Sequence, residues 1–248
     1  MNISNNTIFI AGATSGIGLG LGLRLHAAGN KVIIGGRRAA LLAEIAAEHP
    51  GIQTVVIDTA DPDSITTAAA DVLGRFPDLN VLVTMAGIME PEDVHTADFL
   101  TTAECTVTTN LLGPIRLIAA FTEALAARPH AAIITVSSGL AFVPLPITPT
   151  YSATKAAIHS LSRGIRVQLA DTSIQVIELI PPAVQTSLMG QQDSEHAMPL
   201  KAYLDETMAL LESRPDADEI VVENVKFLRN AESSGNYDRV LARLSATH

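Results

Sequence analysis

Tryptophan is absent from this chain of 248 residues, and Cys105 is its one cysteine. A lone cysteine excludes an intrachain disulfide and leaves the cysteine-based metal motifs without ligands. Packing within a helix is the ordinary role of such a residue. Long apolar runs are also missing: none approaches the roughly 18 residues of a membrane span. The opening Met1-Asn2-Ile3-Ser4-Asn5-Asn6 has no basic stretch followed by an apolar one, so it does not read as a targeting segment. Basic charge is scarce, with 16 Lys and Arg against 26 Asp and Glu, a formal net charge of −10 and no basic stripe of the kind that tracks a phosphate backbone. Nucleic acid and membrane are therefore not expected partners, and a soluble, cytoplasmic protein is expected. Hydrophobic residues make up 48% of the chain and charged ones 17%, enough apolar material for a large core.

Short β-branched runs alternate with longer segments of helical spacing. Strands are expected at 7–11, 32–34, 54–57, 81–84, 131–136 and 174–179, and helices at 16–28, 40–48, 63–76, 101–127 and 152–170, with Pro114 marking a kink or a division in the longest. The strands are apolar at consecutive positions, as strands covered on both sides are. Such alternation implies right-handed crossovers and an α/β fold: a doubly wound, Rossmann-type parallel sheet of six or seven strands with helices on both faces. One domain spanning 1–248 is expected. Within it, 183–213 is more polar and reads as a lid over a substrate, and 214–248 reads as a helical tail with helices at 216–229 and 237–246.

Two motifs at strand ends bear on ligands. Gly12-Ala13-Thr14-Ser15-Gly16-Ile17-Gly18 follows the first strand and opens a helix without a charged side chain in the turn. There, backbone N–H groups stand at the positive end of a helix dipole, and missing β-carbons let a pyrophosphate approach. The second strand ends in Gly35-Gly36-Arg37-Arg38, where a doubly wound site meets the adenosine ribose. Glycine replaces the acid that would accept from a 2′-hydroxyl. The two arginines oppose a helix dipole by about 0.3–1 kcal/mol each, which a 2′-phosphate gripped by a guanidinium fork would offset. Arg37, next to the ribose position, is the stronger candidate. Asp58, at the end of the third strand, is placed to accept from an adenine amino group, with Thr59 beside it.

Tyr151-Ser152-Ala153-Thr154-Lys155 sets a phenol and an ammonium four residues apart, on one helix face. A nearby cation favours phenolate and brings the tyrosine toward useful acid–base strength. Ser138 ends the fifth strand on the sheet edge that carries the glycine turn, where its hydroxyl can donate to a carbonyl oxygen. Ser137 competes for that role, and strand alternation points it to the other face.

The glycine turn, Ala86-Gly87, Thr109-Asn110, Ser138, Tyr151-x-x-x-Lys155 and Pro181-Pro182-Ala183-Val184-Gln185-Thr186 together resemble the one-domain short-chain dehydrogenase/reductase family, over about residues 7 to 186. The resemblance implies an NADP(H)-dependent oxidoreductase acting on a ketone, an aldehyde or a secondary alcohol. Tyr151 would exchange the proton, and Lys155 would hold the nicotinamide ribose and lower the tyrosine's pKa. Ser138 would orient the substrate, Asn110 secure a water in a relay to solvent, and Val184 and Thr186 meet the carboxamide. Three departures stand out. Ala11 replaces a threonine, Thr84-Met85 replace two asparagines ahead of Ala86-Gly87, and Pro182 replaces a glycine and stiffens the entry to the lid. The family's last strand, ending apolar-Asp-Gly-Gly, has no counterpart motif. In relatives that strand packs across a tetramer interface, so a homodimer is expected, with a tetramer as the alternative. The stretches 136–162 and 177–182 resemble a subset labelled as involved in D-alanylation of teichoic acids, although hydride-transfer residues do not make esters.

The stretch 139–147, Ile88, Met89, Leu188, Met189 and Met198 are mostly apolar and could wall a pocket for an apolar carbonyl or alcohol substrate. The seven histidines show no ligand spacing, so no metal is expected; His159, one turn beyond Lys155, reads as packing or surface. Two other classes compete. A sensor that binds NADP(H) without turnover has no need of Ser138, Tyr151 and Lys155 together. A hydrolase using Ser138 lacks the Gly-x-Ser-x-Gly elbow.

Overall fold

The computed structural model describes residues 1–246. Seven strands form one sheet: β1 (Thr7–Ala11), β2 (Lys31–Gly36), β3 (Gln53–Val56), β4 (Val81–Thr84), β5 (Ala131–Val136), β6 (Ile174–Ile180) and β7 (Glu219–Val221). Their order is β3-β2-β1-β4-β5-β6-β7 and every pairing is parallel. The chain moves outward from β1 in both directions, so a crevice opens between the carboxyl ends of β1 and β4, where open α/β sheets bind ligands.

The nine helices of the described residues are α1 (Gly16–Ala27), α2 (Ala39–Glu48), α3 (Pro62–Arg75), α4 (Phe99–Val107), α5 (Gly113–Ala126), α6 (Pro149–Gln168), α7 (Leu200–Ser213), α8 (Lys226–Arg229) and α9 (Tyr237–Ala246). Burial follows the two-sided pattern: every residue of β1, β4 and β5 is buried. Ile8, Ile10, Val32 and Ile34 pack with Leu21, Leu42 and Leu204 of α1, α2 and α7 on one face. Phe9, Ile33 and Leu82 pack with Ile65, Leu117 and Phe121 of α3 and α5 on the other. Local signals fix several ends. Asp61 caps α3 by accepting from the Asp63 N–H at 2.9 Å, and Pro62 occupies the first turn, where its missing N–H costs nothing.

The long helix expected at 101–127 is two helices joined without a break by one π turn, Thr108–Leu112, in which the Gly113 N–H reaches back to the Thr108 carbonyl. Pro114 is the physical reason, because it cannot donate to the carbonyl four residues earlier, that of Asn110. A second correction concerns the C-terminal region. The segment 216–229 is not a helix. It holds β7, paired in register with Glu178–Ile180 of β6, then a 3₁₀ turn and the four residues of α8. The β-branched run Ile220-Val221-Val222 favours the extended form. A last strand is therefore present, and its expected absence no longer favours a dimer over a tetramer.

Candidate active site

At the carboxyl end of β1 the backbone folds tightly. Gly12 sits at φ +91°, and a β-carbon there would lie 2.4 Å from the Ala86 Cα, so only glycine lets the turn pass the segment after β4. A β-carbon at Gly18 would meet the Gly12 carbonyl oxygen at 2.7 Å, and one at Gly16 the Thr186 methyl at 3.2 Å. Ser15 stands at the N-cap of α1 but makes no side-chain cap bond, and the first turn holds no acid. The N–H groups of this turn, around Ile17, thus face no side-chain acceptor, which suits a phosphate. The cradle fits a dinucleotide on these grounds.

At the ribose end both arginines are exposed, and Arg38 donates to the Thr14 hydroxyl at 2.8 Å and so reaches across the glycine turn. A β-carbon on Gly36 would stand 2.4 Å from the Thr14 methyl, which disfavours an acid at that position. Asp58 is half-buried and spends Oδ1 on the Ala60 N–H at 2.9 Å; Thr59 beside it is buried. Ala86 and Gly87 lie between the turn and the reacting groups, since a β-carbon on Gly87 would come 3.8 Å from Lys155 Nζ and 3.4 Å from Asn110 Oδ1.

Those reacting groups converge. The Ser138 hydroxyl accepts from the Leu140 N–H at 3.1 Å and lies near enough to the buried Tyr151 phenol to favour its phenolate form. Lys155 Nζ donates to the Val136 carbonyl at 2.9 Å and stands 5.5 Å from the centre of the Tyr151 ring. Burial pushes the Tyr151 phenol up to about 12, a rise that the nearby Ser138 hydroxyl opposes without cancelling, and burial pulls the Lys155 ammonium down to about 8. In the chain alone, burial therefore outweighs the lowering of the tyrosine's pKa that the resemblance implies. Asn110 is 1% exposed, and its side chain does not wait for a water: Oδ1 accepts from the Ile88 N–H and Nδ2 donates to the Ile88 carbonyl, both at 2.8 Å. The same amide lies 3.5 Å from the Thr154 hydroxyl.

Polar contacts that the sequence did not reveal seat α6 on the sheet. Thr135 and Ser162 share a hydrogen bond at 2.7 Å. One strand over, the carboxylate of Glu178 is 0% exposed, accepts from the Ser137 hydroxyl, and pairs with His159 Nδ1 at 2.9 and 3.1 Å. Phe142 lies edge-on to His159 at 4.7 Å and carries Arg229 on its ring at 4.5 Å; Arg229 in turn forks onto Glu219 at 2.8 and 3.0 Å. His159, Glu178 and Glu219 bring ligand atoms within 4.8 Å of one another, but each already has a partner in this network. Glu92, from the loop after β4, accepts from the N–H and hydroxyl of Thr150 and so caps α6 one residue before the tyrosine. A glutamate in the otherwise apolar run Ile177-Glu178-Leu179-Ile180 was the available signal for this network.

Beyond β6, Pro181 is buried and its carbonyl accepts from the Gly139 N–H at 2.9 Å. The segment that follows closes on itself through a bridge between Val184 and Met198, with the Met198 N–H on the Ala183 carbonyl and the Gln185 N–H on the Met198 carbonyl. That closure holds Val184 inside and brings Thr186 against Gly16. No helix among the described residues is long and apolar enough to cross a membrane.

A doubly wound sheet whose glycine turn adjoins a Ser-Tyr-Lys group defines a dinucleotide-binding α/β protein. The family model for short chain dehydrogenases matches residues 6–197. The chain is 39% identical to the uncharacterized oxidoreductase DltE of Bacillus subtilis over 99% of its own length and 98% of the relative's. It is 31% identical to dehydrogenase/reductase SDR family member 7B of Bos taurus over 75% of this chain and 60% of that one. A crystal structure of a short chain dehydrogenase from Burkholderia cenocepacia in complex with NADP superposes with a TM-score of 0.83 at 26% identity, covering 98% of this chain and 99% of that one. The chain belongs to the short-chain dehydrogenase/reductase family of oxidoreductases.

Removing the buried carboxylate strands its partners. Glu178→Ala is expected to lower the unfolding free energy by about 3–5 kcal/mol, measured by urea denaturation. Glu178→Gln, which keeps an acceptor and a donor in the same space, should lose a smaller part of it.

Proposed function

We propose that the chain is an NADP(H)-dependent carbonyl reductase or alcohol dehydrogenase in which Tyr151 is the general acid and base. The observation carrying this reading is the convergence of Ser138, Tyr151 and Lys155 at the carboxyl edge of β5, beside the glycine turn. When bound, the dinucleotide supplies or takes up a hydride at its nicotinamide ring. Gly12, Thr14, Ser15, Gly16, Ile17 and Gly18 hold the pyrophosphate; Arg38 and Arg37 hold the 2′-phosphate; Asp58 and Thr59 flank the adenine. Ala86 and Gly87 back the inner ribose, and Pro181, Val184 and Thr186 meet the carboxamide. The NADP complex of the Burkholderia relative supports the choice of cofactor.

In reduction, the Ser138 hydroxyl donates to the substrate oxygen and the Tyr151 phenol delivers its proton there. Lys155 stands 5.5 Å from the phenol ring, where its charge favours phenolate in the transition state. The proton returns to Tyr151 by way of Lys155 from a water held by the Asn110 carbonyl, the group that Pro114 deprives of its usual helical donor. The Asn110 side chain keeps Ile88, and with it the loop after β4, in place. We read the chain as one catalytic domain working in the cytoplasm, with 183–213 as the substrate lid. Exposed Leu100 on α4, Leu112 in the π turn and Ile115 on α5, with Val167 on α6, support a homodimer through these helices.

Three outcomes are expected. With a panel of ketones and aldehydes, NADPH absorbance falls with the wild type, and Tyr151→Phe lowers kcat by at least about 10³-fold. The pH profile of kcat/KM for NADPH, which reports the free enzyme, should be flat below about 8 and fall above it: Lys155 loses its proton at about 8, while Tyr151 keeps its own to about 12. Arg38→Ala should weaken NADPH binding by about 10–100-fold, with less change for NADH, as read by titration of dihydronicotinamide fluorescence. If Arg37→Asp alone produces that discrimination, the two arginines exchange roles.

A further inference from the structure

The terminal helix α9 takes no part in holding cofactor, yet it has a strongly one-sided pattern. Tyr237, Val240, Leu241 and Leu244 follow the i, i+3, i+4, i+7 spacing of an apolar stripe, while Asp238, Arg239, Ala242 and Arg243 are exposed. Three of the four pack only on the main core. Leu244 packs there and also against a separate small cluster, that of Met89, Leu145 and the catalytic Tyr151. Met189, in the segment after β6, joins the same cluster.

Four distant stretches of chain thus meet in the cluster that holds Tyr151: the loop after β4, the approach to α6, the 3₁₀ turn of the expected lid, and the last turns of α9. All contribute apolar side chains, and Tyr151 supplies the polar tip. Val240 is buried and anchors the helix one turn earlier, so the position of α9 does not depend on Leu244, which remains partly exposed. Its side chain is free to serve as a boundary.

We infer that Leu244 is a specificity-determining residue, the end wall of an apolar substrate pocket that limits the length of the carbonyl compound's alkyl arm. This rests on the carbonyl chemistry proposed above. It also restricts the substrate class. An ionised group on that arm would lose its hydration against Met89, Leu145, Met189 and Leu244 without gaining a partner from them, so the arm is neutral and aliphatic or aromatic.

The test uses the full chain, Leu244→Ala and Leu244→Trp, with NADPH and the methyl ketones from butan-2-one to undecan-2-one. Leu244→Ala should move the best substrate about two carbons longer and raise kcat/KM for the longest ketones about 10-fold. Leu244→Trp should move it shorter. NADPH affinity and the thermal midpoint should stay near wild type in both. An unchanged length preference in all three proteins overturns the inference and leaves the carbonyl chemistry standing. If the wild type reduces none of these ketones, that chemistry fails instead, and the pocket is read from binding. The chain has no tryptophan, so the indole introduced at 244 reports alone. A shift in its emission when decan-2-one is added to the complex with NADP⁺ supports the wall, and no shift overturns it.

Discussion

Glu178 buries its carboxyl group at zero exposure because Ser137 and His159 reach it from the two stretches that also carry Ser138 and Lys155. The energetic stake is high. An unpartnered carboxylate in that position would cost several kcal/mol, so the three groups must meet, and their meeting fixes how α6 lies on β5 and β6. Thr135 and Ser162 repeat the constraint one turn further along. An apolar seat would tolerate sliding; hydrogen-bonded pairs do not, because a shift of one ångström breaks them. The reacting geometry is downstream of this seat. Lys155 finds the Val136 carbonyl, and Tyr151 finds Ser138, only if α6 is placed to that tolerance.

On the other side of the crevice the constraint is the absence of side chains. Gly12, Gly18 and Gly36 are each where a β-carbon would collide with backbone or with Thr14. α1 can therefore start close against β4 and still present its first N–H groups outward. The glycine turn and the Ser138-Tyr151-Lys155 group are built by opposite means, close approach of bare backbone in one and dense polar pairing in the other. Ala86 and Gly87 adjoin both. The 183–198 segment then spans the two, with Thr186 at the glycine turn and Met189 at the tyrosine.

The alternating sheet and helices were legible because each inner strand is a β-branched run long enough to stand out, and because the glycine turn and Tyr151-x-x-x-Lys155 are local patterns. What escaped was set by contacts distant in sequence. β7 is three residues long, and Val221, Val225 and Leu228 also satisfy a helical spacing, so periodicity alone chose wrongly. The π turn follows from Pro114, but its placement around Asn110 needed the three-dimensional bond to Ile88. The Arg38 contact at the glycine turn depends on Thr14, 24 residues earlier. His159 read as packing or surface since its partner is on another strand; a glutamate inside a buried strand was the clue. Leu244 had no sequence signal beyond an amphipathic tail, because nothing local says which surface that tail covers.

The most direct measurement follows the hydride. Reduction of a methyl ketone with NADPH deuterated at C4 of the dihydronicotinamide, analysed by mass spectrometry of the alcohol, should yield product carrying one deuterium at the carbinol carbon for one of the two C4 epimers. Tyr151→Phe should yield almost none. Tight cofactor binding with no deuterium in any product, or equal labelling by the phenylalanine variant, would contradict the account.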